Sequence, residues 1–177
     1  MNEKSKQKGI IMIIFIGAIL LCGFRYYIYS NDMVTNNNTE KMIEVADQYI
    51  ELMDKPDKIV GHSPMCEKKE LGLMCILVAY QINNEKNVEC VYFERGKILK
   101  NYYHLSGALG SDIGEFIADS QIINDKNIVF VRGFQIEDIH SFRIDKFNYT
   151  GKIENGMYLD VIESKSKDMV YKIRTLK

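Results

Sequence analysis

One uncharged apolar run dominates the hydrophobic pattern of the chain. Residues 10–24 read IIMIIFIGAILLCGF, with Lys4, Lys6 and Lys8 before the run and Arg25, Tyr26, Tyr27 and Tyr29 after it. Fifteen helical residues rise roughly 22 Å, short of a bilayer core about 30 Å thick. Extension to Tyr29 closes that gap, because Arg25 can snorkel outward and tyrosines suit the interface. The pattern predicts a single-pass transmembrane anchor over residues 10–29. The excess of lysine before the run predicts a cytoplasmic N-terminus, residues 1–9, and an extracytoplasmic C-terminal part. Three competing readings fit less well. A cleaved signal peptide wants small residues after the apolar core, and Ile19, Leu20 and Leu21 are large. Lipidation at Cys22 wants a small residue where Leu21 stands, and a pilin-like start wants an acid where Ile14 stands.

Residues 30–38 are asparagine-rich and read as a linker. A helix follows, with Met42, Ala46, Tyr49, Ile50 and Met53 at helical spacing and acids mostly on the other side. Asn37 with Glu40 fits a capping box, and Pro56 ends the helix soon after Asp54. Residues 60–71 read as a loop. LMCILVAYQI, residues 73–82, is too short to span a membrane and reads as a central strand buried on both faces. Residues 83–87 make a turn, 88–94 a second strand and 98–105 a third, together an antiparallel meander.

Ser106 to Asp112, SGALGSD, reads as a flexible loop leading into a short helix capped by Asp112 and running to Asp119. Strands resume at 127–131 and 141–147. Asn155-Gly156 predicts a type I′ hairpin before a strand at 157–163. That strand puts Met157, Leu159 and Val161 on one face, and a last strand covers residues 169–176. The predicted fold class is therefore α+β. An N-terminal transmembrane helix and linker lead into an extracytoplasmic domain, 39–177, in which one amphipathic helix packs on a mainly antiparallel sheet of about six to eight strands.

Composition narrows the function classes. The chain is 46% apolar and 27% charged, which marks a globular domain rather than a disordered one. It carries a net charge of −1, of which residues 1–29 contribute +3, so the outer part is about four charges negative. There is no basic stripe, and a nucleic-acid partner is not expected. No cofactor is expected either, because no phosphate-binding loop, dinucleotide fingerprint, zinc-protease motif or nucleophile elbow occurs.

Candidate chemistry is sparse. His62 and Cys66, four residues apart, are weak metal ligands without the third and fourth donors that zinc needs. Cys66 and Cys75 are a weak disulfide candidate, closing a loop of about ten residues worth roughly 2–3 kcal/mol. If Ile82 and Val88 flank the turn, Cys90 opposes Tyr80 and Cys75 faces the other way, which excludes a bridge between Cys75 and Cys90. Three buried free thiols are the alternative. Binding residues are expected among Tyr92, Tyr102 and Tyr103, as an exposed aromatic face, and Ser106, Gly107, Gly110 and Ser111, as a loop on a rigid sheet. These features favour a non-enzymatic, membrane-anchored interaction domain with a protein partner, such as an accessory subunit of an envelope complex or an immunity-type protein. A small-ligand sensing domain and a thiol or metal module are the alternatives.

Overall fold

The computed structural model describes residues 3–30, 33–111, 116–134, 142–144, 147–149, 156–164 and 173–175. The fold is α+β with mainly antiparallel sheets and two helices. Helix α1, Glu3–Ser30, joins the basic start, the apolar run and the first tyrosines into one 28-residue element. Its apolar side chains from Met12 to Leu21 are largely exposed, Ile13 by 71% and Leu20 by 67%, while Phe24 rests edge-on against Tyr102. Among the described residues, no helix is long and apolar enough to cross a membrane.

The stretch read as a linker contains a short strand, β1, Val34–Thr35. Helix α2, Thr39–Met53, follows it. The helix is capped one residue later than the capping-box reading placed it: Asn38, not Asn37, accepts a hydrogen bond from the Lys41 amide on Oδ1, at 3.0 Å. Two short strands, β2, Lys58–His62, and β3, Cys66–Lys68, occupy the region expected to be a loop. Both pair with one flank of β4, Leu73–Ile82, which then hairpins into β5, Glu85–Arg95. Strand β6, Tyr102–Ser111, completes the meander and pairs at its start with β1. The result is a six-stranded antiparallel sheet.

A second sheet is built from β7, Phe116–Ile123, β8, Lys126–Phe134, and, beyond the short β9, Phe142–Ile144, and β10, Phe147–Tyr149, from β11, Met157–Ser164. β9 and β10 form a third small sheet with β12, Ile173–Thr175. β7 occupies the place where a helix was expected. Ser120, Ile122 and their neighbours alternate along an extended hairpin, and the supposed capping residue Asp112 lies outside the described residues. The Asn155 side of the predicted Asn-Gly hairpin and most of the predicted last strand also lie outside them. Met157 and Val161 are buried on one face of β11 with Leu159 packed beside them, as alternation predicts.

The first sheet is the middle layer of three. Met74, Ile76, Val78 and Tyr80 of β4, with Val91 and Phe93 of β5, face Met42, Val45, Ala46 and Ile50 of α2. Leu73, Cys75, Leu77 and Ala79, with Val88, Cys90 and Tyr92, face Ile128 and Phe130 of β8 and Met157 and Val161 of β11. Coverage on both faces explains the unbroken apolar run of β4, since each buried aliphatic or aromatic side chain stabilises by about 1.5–3 kcal/mol.

The β4–β5 turn is tighter than the sequence reading assumed. Asn83 and Asn84 take φ of 52° and 66°, and Ile82 pairs directly with Glu85. Two asparagines in the left-handed region make a two-residue hairpin, so Glu85 and Lys86 belong to the strand. The register therefore differs from the expected one by an odd number of residues. Cys90 lies opposite Leu77, and Cys75 and Cys90 share a face instead of lying on opposite ones. Asn124 and Asp125, at φ 50° and 63°, repeat the device between β7 and β8.

Candidate functional site

The residues expected to bind a partner come together on β6 and its neighbour β5, but not as a loop beside an exposed aromatic face. Tyr92 is 8% exposed and Tyr103 fully buried, on opposite faces of the sheet. Tyr92 leans on Phe130, ring centroids 5.2 Å apart, and donates its hydroxyl to Gln121 Oε1 at 2.7 Å. Burial, with the nearby Glu94 carboxylate, holds the Tyr92 phenol above its ordinary range. The Tyr103 hydroxyl accepts from Arg95 Nη2 at 3.0 Å and reaches Glu67 Oε1 at 3.5 Å. Tyr102 is half-buried, edge-on to Phe24 of α1 at 6.4 Å. Both faces of the sheet are covered at Tyr92 and Tyr103, so these two tyrosines serve packing and hydrogen bonding rather than an outer surface.

SGALGS is the body of β6. Its register against β5 slips between Tyr92 and Phe93, where Tyr92 pairs with Gly107 and Phe93 with Leu105. Ser106 is the extra residue of this bulge. It is exposed and donates to Glu94 Oε1, whose other oxygen accepts from Asn124 at 3.2 Å. Gly107 lies against the Tyr92 ring, where a Cβ would come within 2.8 Å of the hydroxyl oxygen. Gly110 is exposed, with no atom within 4 Å of where its Cβ would be. Its carbonyl accepts from the buried Arg132, which also holds Asp119 at 2.5 Å and so ties the end of β6 to the second sheet. Ser111 closes the strand opposite Val88.

The edge of β6 is the distinctive feature. β1 pairs only with Tyr102 and Tyr103. From His104 to Ser111, among the described residues, β6 pairs with β5 on one side and with no strand on the other. This stretch, HLSGALGS, has no proline, lysine, arginine or acid, and two of its residues are glycine. Edge strands are ordinarily guarded by charge, proline, shortness or a bulge. The opposite edge shows such guards: β2 is five residues long, begins at Lys58 and bulges at Val60. β6 is ten residues long, and its bulge lies near its middle, leaving residues 107–111 regular.

The remaining sequence candidates lie on β2, β3 and β4. His62 Nε2 lies 2.7 Å from Asp47 Oδ1, which ties β2 to α2. Cys66 sits on β3 opposite Cys75, and all four cysteines are free thiols. Among the described residues, no group of three or more His, Cys, Asp or Glu side chains could hold a metal ion. The open β6 edge was not read from the sequence, because its glycines and serines signal a loop in isolation and only the register against β5 makes them a strand. The chain matches no family model, no curated protein and no solved structure.

Proposed function

We propose that this protein is a non-enzymatic, membrane-anchored interaction domain that receives an extended segment of a protein partner along the edge of β6. The observation that carries the reading is the edge of β6 from His104 to Ser111, with which, among the described residues, no further strand pairs, and where Arg132 holds the Gly110 carbonyl. An added strand would satisfy the amides and carbonyls that neither β5 nor Arg132 uses, and main-chain hydrogen bonding of this kind supplies affinity without a side-chain pocket. In this reading α1 is the anchor. Its apolar side chains from Met12 to Leu21 are exposed among the described residues, and the lipid bilayer is the partner of matching chemistry. In this reading the three leading lysines favour a cytoplasmic N-terminus with the α+β domain outside. An accessory subunit of an envelope complex and an immunity-type protein both fit.

Two results test the reading. The full-length protein stays with membranes through alkaline carbonate extraction, and deletion of residues 1–29 releases it. Crosslinking in native membranes recovers a specific protein, which is retained when α1 is replaced by an unrelated membrane helix and lost with Gly110→Lys. A purified domain that turns over a substrate, or a partner indifferent to Gly110→Lys, refutes the proposal.

The small-ligand alternative has one observation in its favour. An open cleft of about 510 Å³ lies between the end of α1 and α2, with Arg25 and Lys41 beside Ile28, Met33 and Val45. Ligand-dependent melting of the full-length protein would support it, and a flat response across a ligand panel would end it.

A further inference from the structure

The corrected register brings Cys66, Cys75 and Cys90 to one face of the first sheet. Cys66 lies directly across from Cys75 in the antiparallel β3–β4 pair. Cys90, opposite Leu77, lies diagonally from Cys75, two residues along. Cys75 and Cys90 are fully buried. Cys66 is half-buried and lines an open cleft of about 330 Å³ with Ser63, Met65, Lys68 and Met157. The three thiols thus lead from a surface cleft into the core.

Geometry selects one pair among them. Directly opposed residues of an antiparallel pair have Cα atoms about 4.5–5.5 Å apart, inside the range of about 4.4–6.8 Å that a disulfide spans. Diagonal neighbours have Cα atoms about 7–8 Å apart, beyond it, although the Cys75 and Cys90 side chains touch across that diagonal through a thiol hydrogen bond. Residues on β3 and β5 are separated by the whole width of β4, roughly twice the 4.8 Å strand spacing.

We propose that Cys66 and Cys75 are a thiol–disulfide exchange site that forms a cross-strand disulfide with a disulfide-bearing oxidoreductase or a small-molecule disulfide entering the cleft. The Cys66 thiolate attacks one sulfur of the donor, breaks the donor's S–S bond and releases one donor thiolate. Cys75 then loses its proton and attacks the Cys66 sulfur of the mixed disulfide, which expels the second donor thiolate. The two donor thiolates take up the two cysteine protons. The protein is oxidised by two electrons and the donor disulfide is reduced to two thiols. Oxidation removes the only cysteine thiol that lines this cleft and fastens β3 to the centre of the sheet.

The surroundings set the tempo. Burial and the nearby Asp160 carboxylate push the Cys66 thiol up to about 11, with Lys68 opposing them in part. Asp160 is itself held by Lys68 at 2.6 Å. Exchange is therefore slow at neutral pH, where roughly one thiol in ten thousand is ionised. Its rate rises about tenfold for each pH unit toward that value.

The test is peptide mapping of the full-length protein in native membranes. Samples are acid-quenched, denatured and alkylated with N-ethylmaleimide, before and after incubation with glutathione disulfide at pH 9. The expected product is a Cys66–Cys75 linked peptide that dithiothreitol reverses. It persists in Cys90→Ser, disappears in Cys66→Ser and raises the melting temperature of the wild type by several degrees. Linkage before incubation and linkage only after it both support the exchange site. Alkylation of both Cys66 and Cys75 after prolonged incubation overturns it, as does a Cys75–Cys90 link in their place. If Cys66→Ser does not fold, the wild type and Cys90→Ser decide the matter alone. The outcome does not depend on the anchor or on the β6 edge.

Discussion

Gly107 of β6 and Tyr92 of β5 are directly paired, and the Tyr92 ring covers the glycine so closely that a Cβ there would lie 2.8 Å from Oη and 3.1 Å from Cζ. The glycine lets the ring lie flat on its own sheet, against Phe130 and within reach of Gln121. Gly107→Ala forces the ring outward in a space filled by the second sheet. The expected cost is about 1–3 kcal/mol, read as a lower urea midpoint at constant m-value. Gly110→Ala, with open space at its Cβ, is expected to stay within about 0.5 kcal/mol of wild type. Equal effects of the two substitutions would contradict this packing.

Tyr103 joins the first sheet to its own edge. Its fully buried hydroxyl holds Arg95 at 3.0 Å and approaches Glu67 at 3.5 Å, while the Arg95 guanidinium lies 5.6 Å over the ring. Tyr103→Phe keeps the ring and removes the oxygen. A loss of about 1–2 kcal/mol in chemical denaturation is expected, because the partners on both sides lose a hydrogen bond. A neutral result would show that water replaces the hydroxyl.

Stability should depend on pH at the end of α2. Tyr80 Oη lies 3.1 Å from Asp54 Oδ2 and 3.2 Å from Glu89 Oε1, so one hydroxyl proton serves two carboxyl groups. Burial, then the Asp54 charge, raises Glu89 above its ordinary value of 4.5. A carboxyl group with a raised value in the fold binds more protons folded than unfolded. Its contribution to stability is therefore greatest at low pH and declines as pH rises from 4.5 through the folded value. Glu89→Gln should stabilise the protein near neutral pH, by less than about 1 kcal/mol because the group is partly solvated. It should also flatten the melting temperature against pH above 4.5. An unchanged pH profile would dismiss the coupling.

Much of this architecture is legible in the sequence where burial is two-sided or periodic. LMCILVAYQI announces β4, the Met42, Ala46 and Ile50 stripe announces α2, and alternation announces β11. Register was not legible. Glu85 and Lys86 look like turn residues, and nothing local says that Asn83 and Asn84 suffice for the turn. That odd shift reversed the relation of Cys75 to Cys90. The strand expected at 98–105 reaches only the start of β6, Tyr102–Ser111, and the rest was read as a loop for a related reason. Ser106, Gly107, Gly110 and Ser111 have weak strand preference, and their strand is imposed by pairing with β5. The same composition leaves residues 104–111 without proline, lysine, arginine or acid, so the candidate site and the failed local reading arise from one cause.

The β6 edge is tested most directly by placing a photo-crosslinking amino acid at Gly110 and, separately, at the exposed Val60 on the opposite edge of the same sheet. Illumination in native membranes should give one discrete protein adduct from position 110 and none from position 60. No adduct at 110, or equal labelling from both edges, would contradict strand addition at β6.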